Sequence, residues 1–123
     1  MQSYRDLRTW RLAIELATDI YRYTSSFPSI ERYGLTGQMR RAAVSIPSNI
    51  AEGYCRGHRT EYLQFLKVAY ASGGELQTQL IIAKRIGLLP QADYQAAYRA
   101  TSRIMGMLYK LINSLSIMGH KKQ

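Results

Sequence analysis

Residues 59–87, RTEYLQFLKVAYASGGELQTQLIIAKRIG, decide the fold. Tyr62, Leu66, Ala69, Gly73, Leu76, Leu80, Ala83 and Gly87 recur at alternating spacings of four and three over more than three heptads. A helix turns once in about 3.6 residues, so this spacing keeps one side of a long helix apolar. The end of the stretch is equally clear. Lys84 and Arg85 suit the negative end of the helix dipole, Gly87 suits the left-handed stop, and Leu88 can pack back on Ala83.

Working outward, Leu35, Met39, Ala42, Ile46 and Ile50 give a helix over 35–56, with Arg56 in its last turn and Gly57 as its stop. Pro47 lies inside it, frees the Ala43 carbonyl and should kink the axis, leaving Asn49, Ser48 or water to satisfy that carbonyl. Upstream, Leu7, Trp10, Ile14, Ala17, Tyr21 and Thr24 form the stripe of a helix over 4–26. Ser3 and Asp6 resemble a capping box at its start, and Phe27-Pro28 ends it. Downstream, Pro90 and Asp93 open a fourth helix over 90–118 whose stripe is Tyr94, Ala97, Thr101, Ile104, Leu108, Leu111 and Leu115. Gly119 should end it before the basic tail His120-Lys121-Lys122. Nothing alternates with period two. The expectation is an all-α, antiparallel up-down-up-down four-helix bundle, one domain over 1–123.

At 123 residues, 46% hydrophobic and 20% charged, the chain can bury a core without disulfides or metal and is not disordered. One cysteine, no apolar run approaching membrane length and no apolar leader point to a cytoplasmic protein with no membrane partner. Lys and Arg number 17 against 8 acids, a net charge of +9 that favours a polyanionic partner. Helix three also carries Leu63, Phe65, Val68, Tyr70, Ile81 and Ile82 beyond its stripe. A wide apolar arc and ten tyrosines suggest a second buried face, supplied most simply by another copy of the chain.

Catalytic chemistry finds little footing. No Glu has a His three residues on, and two His with one Cys are too few for a zinc site, so neither metal nor cofactor is expected. Cys55 and His58 are three apart, but Gly57 breaks the helix between them. Gly73-Gly74 is followed by Glu75 rather than a phosphate-binding lysine, and reads as close helix approach. Two constellations remain. Gln38, Arg41, Ser45, Asn49, Glu52 and Arg56 form a polar stripe on helix two. With Glu75 across the bundle it is either a ligand seam around Glu52, Asn49 and Glu75 or a network that fixes register. Arg32, Arg40, Arg41, Arg56 and Arg59, interleaved with Tyr33 and Tyr54, offer phosphate contacts beside stacking rings.

The run Glu31-Arg32-Tyr33-Gly34-Leu35-Thr36, then Gln38 and the unbroken stretch from Arg40 to Gly53, resembles the bacterial 23S rRNA-intervening sequence proteins. Leu7, Trp10, Phe27-Pro28, Arg56, Glu61-Tyr62, Phe65-Leu66, Ser72, Glu75-Leu76 and Thr78-Gln79-Leu80 extend the likeness, with Ala71 and Gln77 departing from it. The resemblance implies a cytosolic four-helix bundle assembled as a homopentameric ring, with no established enzymatic activity. A similar fold serves as the accessory protein of diversity-generating retroelements, a basic pentamer that binds nucleic acid and a reverse transcriptase. The leading expectation is therefore a non-catalytic oligomer that binds RNA or DNA as an accessory to a larger enzyme. The alternatives are a protein-interaction scaffold without nucleic-acid contact and a small-ligand site at the Glu52/Glu75 seam.

Overall fold

The computed structural model describes residues 3–122, with side chains described as far as Ile117. Four helices account for most of the chain: α1 (Arg8–Thr24), α2 (Leu35–Cys55), α3 (Arg59–Arg85) and α4 (Gln91–Lys122). No strand occurs among the described residues. Helix α2 packs on α1 and on α3, and α4 packs on α3 and on α1, so the four close around one core as a helical bundle. That core is Leu16 and Ile20 of α1, Met39, Ile46 and Ile50 of α2, Leu66, Leu76 and Leu80 of α3, and Ile104 and Leu108 of α4. Burying each such side chain contributes about 1.5–3 kcal/mol.

The stops behave as their chemistry requires. Gly57 and Gly87 have φ of +79° and +81°, a region that L side chains enter only at a cost. At the end of α3 the Gly87 amide donates to the Lys84 carbonyl at 3.1 Å and the Leu88 amide to the Ala83 carbonyl at 2.9 Å. These are the paired bonds of a Schellman motif. Leu89 then drops into the core.

Helix one departs from expectation twice. Residues Tyr4–Asp6 form a separate 3-10 turn, in which the Ser3 hydroxyl accepts from the Arg5 amide at 3.1 Å. Leu7 is extended (φ −74°, ψ 120°), so α1 begins only at Arg8. The buried stripe is also rotated. Ala13, Leu16 and Ile20 face the core, while Ile14 and Tyr21 remain 39% and 46% exposed. Both sets are apolar at helical spacing, and packing against α2 and α4 together selects the first. Elsewhere α2 continues through the buried Pro47 to Cys55, and α4 runs helically past Gly119 to Lys122. The side chains of the His120–Lys122 tail lie outside those described.

The bundle is tightest between α2 and α3. A Cβ on Gly53 would meet the Phe65 Cβ at 2.6 Å, whereas one on Gly106 would meet nothing within 4 Å. Gly53→Ala should therefore lower unfolding free energy by about 1–3 kcal/mol through overpacking. Gly106→Ala should raise it by as much as about 1 kcal/mol through helix propensity. Urea denaturation measures both, and the opposite signs are the check.

Candidate nucleic-acid interface

The five candidate arginines fall into two groups. Arg32, Arg40 and Arg41 surround the start of α2, while Arg56 and Arg59 flank the link from α2 to α3. The helix rise places the groups roughly 22 Å apart along α2. Two of the five are already engaged. Arg40 donates from Nε to the Thr24 hydroxyl at 2.9 Å and from Nη2 to the Tyr21 carbonyl at 3.3 Å, with its guanidinium 4.5 Å from the centre of the Tyr21 ring. It ties α2 to α1. Arg56 pairs with Glu52 at 3.3 Å and Glu61 at 3.5 Å, and lies over the Phe65 ring at 5.2 Å. Arg32, Arg41 and Arg59 make no ion pair among the described residues. Arg32 and Arg41 are exposed, and Arg32 sits 5.8 Å from the ring centre of Tyr33, itself 88% exposed.

The polar stripe of α2 divides. Ser45 and Ser72 share a hydroxyl–hydroxyl bond of 2.8 Å, and the Asn49 amide donates to the Ser45 carbonyl at 2.7 Å and to its hydroxyl at 2.9 Å. These bonds join α2 to α3 through Ser45 and Ser72, and Asn49 is spent on Ser45 rather than on the Ala43 carbonyl. Gln38 and Arg41 are exposed, Glu52 turns to Arg56, and Glu75 lies exposed on the outer side of α3 without an ion pair among the described residues. The structure does not bring Glu52 and Glu75 together: Glu52 pairs with Arg56 of its own helix, and Glu75 is exposed on α3. Cys55 and His58 are both exposed on either side of Gly57. Beside Gly53, burial and then the nearby Tyr54 raise the Tyr62 phenol above its ordinary value. No group of three or more His, Cys, Asp or Glu among the described residues is placed to hold a metal.

One feature escaped the periodicity. Trp10, Ile14, Ala17 and Tyr21 of α1 face Val44, Pro47 and Ala51 of α2 across an open apolar groove of about 520 Å³. It continues into a depression of about 560 Å³ lined by Gly37, Arg40, Arg41 and Ser45. The available signal was the Trp10, Ile14, Ala17 and Tyr21 stripe itself, which periodicity alone turns toward the core, together with Val44 standing off the stripe of helix two.

The fold and surface are those of a basic helical bundle with arginines at both ends of one helix. The chain belongs to the family described as 23S rRNA-intervening sequence protein, whose sequence profile matches residues 5–110. It is similar in fold to a crystallised protein with unknown function from the S23 ribosomal protein family of Bacteroides thetaiotaomicron. The TM-score is 0.76 at 20% identity, over 85% of this chain and 97% of that one. No curated protein matches the chain. No helix among the described residues is long and apolar enough to cross a membrane.

The division of the arginines has a direct check. Arg40→Ala removes charged hydrogen bonds and a ring contact, and should cost about 1–3 kcal/mol of stability. Arg41→Ala should stay within about 0.5 kcal/mol of the parent. Arg40→Lys should recover little of the loss, because an ammonium lacks the planar fork that reaches Thr24 and covers Tyr21.

Proposed function

We propose that this protein is a non-enzymatic cytoplasmic accessory factor, a homo-oligomer that binds RNA or DNA through its phosphates and serves a larger nucleic-acid enzyme. Its subunits are up-down-up-down bundles arranged as a ring, a pentamer by family likeness. Support for the antiparallel order comes from Ser45–Ser72 and Gly53–Phe65 between α2 and α3, and from Gly73–Met105 and Gln77–Ser102 between α3 and α4, in which residue numbers fall along one helix as they rise along the next.

The observation that carries the binding reading is cationic surface without local neutralisation. The chain bears +9, and Arg32, Arg41 and Arg59 have no acidic partner among the described residues. Tyr33 beside Arg32 adds an open ring on which an unpaired base can stack. A ring of copies repeats this patch around its axis and multiplies its pull on a polyanion. A protein-interaction scaffold is the competing reading, favoured by the exposed apolar groove between α1 and α2.

Fluorescence anisotropy with a single-stranded RNA oligonucleotide across a salt series separates the two. Log affinity should fall linearly with log salt, and the Arg32→Glu/Arg41→Glu double variant should reduce that slope by about 1.4, at about 0.7 per single-strand phosphate contact. Affinity indifferent to salt and to both arginines would count against phosphate binding and for the scaffold.

A further inference from the structure

We infer that the open groove between α1 and α2 seats a second copy of this chain, entered by the outward face of the neighbour's α3. This deepens the oligomer proposed above and rests on it. The groove asks for an apolar ridge that carries negative charge. Its floor is Ile14, Ala17, Val44 and Pro47, one end holds Arg40 and Arg41, and no carboxylate lines it.

The outward face of α3 has that composition. Val68, Ala71, Glu75, Thr78, Ile82 and Ile86 follow one another at spacings of three and four, opposite the buried Leu66, Gly73 and Leu80. Val68, Ile82 and Ile86 are 48%, 45% and 56% exposed. Glu75 stands at the centre of this stripe, exposed and without an ion pair among the described residues. Thr78 turns its hydroxyl back to the Gly74 carbonyl at 2.9 Å, so it presents its methyl side at little polar cost.

Ridge and groove also match in spacing. Glu75 lies seven residues from both Val68 and Ile82, about 10 Å in each direction along a helix. With Glu75 at the guanidinium end, one half of the stripe runs over Val44 toward Pro47 and Ile14. Arg40 is ready for that carboxylate, since Thr24 and Tyr21 hold its Nε and Nη2 and leave Nη1 with no hydrogen bond among the described residues.

A self-complementary dimer, groove on groove, would set two depressions face to face and bring no carboxylate to Arg40 or Arg41, since none lines either. A one-way contact, with the groove of one copy taking the ridge of the next, is heterologous, and it builds a ring where its rotation closes.

Cross-linking in the full-length chain tests the inference. Cys55, which is exposed, is first replaced by Ser. Val44→Cys is then combined with Ala71→Cys, or with Thr78→Cys for a neighbour whose α3 runs the opposite way, and each single variant is made alongside. After oxidation one of the two double variants should run as disulfide-linked multimers on a non-reducing gel, while each single variant remains unlinked. Adding Glu75→Arg should abolish the linkage. An oligomer by light scattering in which neither double variant links, or in which Val44→Cys links to itself, overturns the inference and leaves the oligomer standing. A monomer at high protein concentration overturns both and assigns the groove to a foreign acidic helix.

Discussion

The close approach of α2 to α3 is the constraint on which the rest of the structure depends. Gly53 admits Phe65 and Tyr62 at distances no larger residue tolerates, and Ser45 meets Ser72 directly at 2.8 Å. Ala42, Ala43 and Ala69 are fully or almost fully buried in the same core. Small side chains let the backbones approach, and the serine pair answers a polar group that would otherwise cost about 1–3 kcal/mol when buried alone. A one-residue slip would drive Phe65 away from Gly53 and separate the hydroxyls, so the contact sets register as well as distance. The other helices are placed from this pair. Met105 of α4 covers Gly73, where a Cβ would meet its Cγ at 2.5 Å, and Gln77 reaches Ser102 at 2.9 Å. Arg40 of α2 draws in α1.

This arrangement sorts the surface. Because α2 commits its small residues to α3, its remaining side faces α1 and solvent, and that side carries Arg40, Arg41 and Val44. The arginines then divide by what they touch. Arg40 and Arg56 are engaged by Thr24, Tyr21, Glu52 and Glu61, while Arg32, Arg41 and Arg59 have no ion pair among the described residues. The same geometry leaves α1 short of cover on one flank, where Ile14 and Tyr21 meet Val44 across open space. Charge and exposed apolar surface thus lie side by side.

Much of the fold was legible because single residues with special backbone needs mark it. Gly57 and Gly87 carry the positive φ that their positions in the pattern required, and the long stripe of helix three is buried at Leu66, Ala69, Leu76, Leu80 and Ala83. Helix one was harder. Two apolar stripes lie one residue apart on it, and only the positions of α2 and α4 choose between Ile14 and Ala13 or between Tyr21 and Ile20. Its first turn failed for a local reason, since Leu7 is extended and separates the Ser3 cap from α1. The polar stripe shows the limit of spacing arguments: Ser45, Asn49 and Glu52 do share one side of α2, yet Glu52 joins Arg56 and Ser45 joins Ser72. Which neighbour a polar residue chooses depends on the partner helix's rotation, and that is absent from its own periodicity. The groove was hidden for the same reason.

Native-state hydrogen exchange on the full chain tests most directly the claim that α2 and α3 form the keel of the bundle. Amide protection reports the free energy of local opening, and segments held by the tightest packing open only with global unfolding. Amides of Ala42–Gly53 other than Pro47, which has none, and of Ala69–Leu80 should exchange last, at free energies equal to that of global unfolding, with α1 releasing earlier. Exchange in which α1 or α4 outlasts the facing stretches of α2 and α3 would contradict the account.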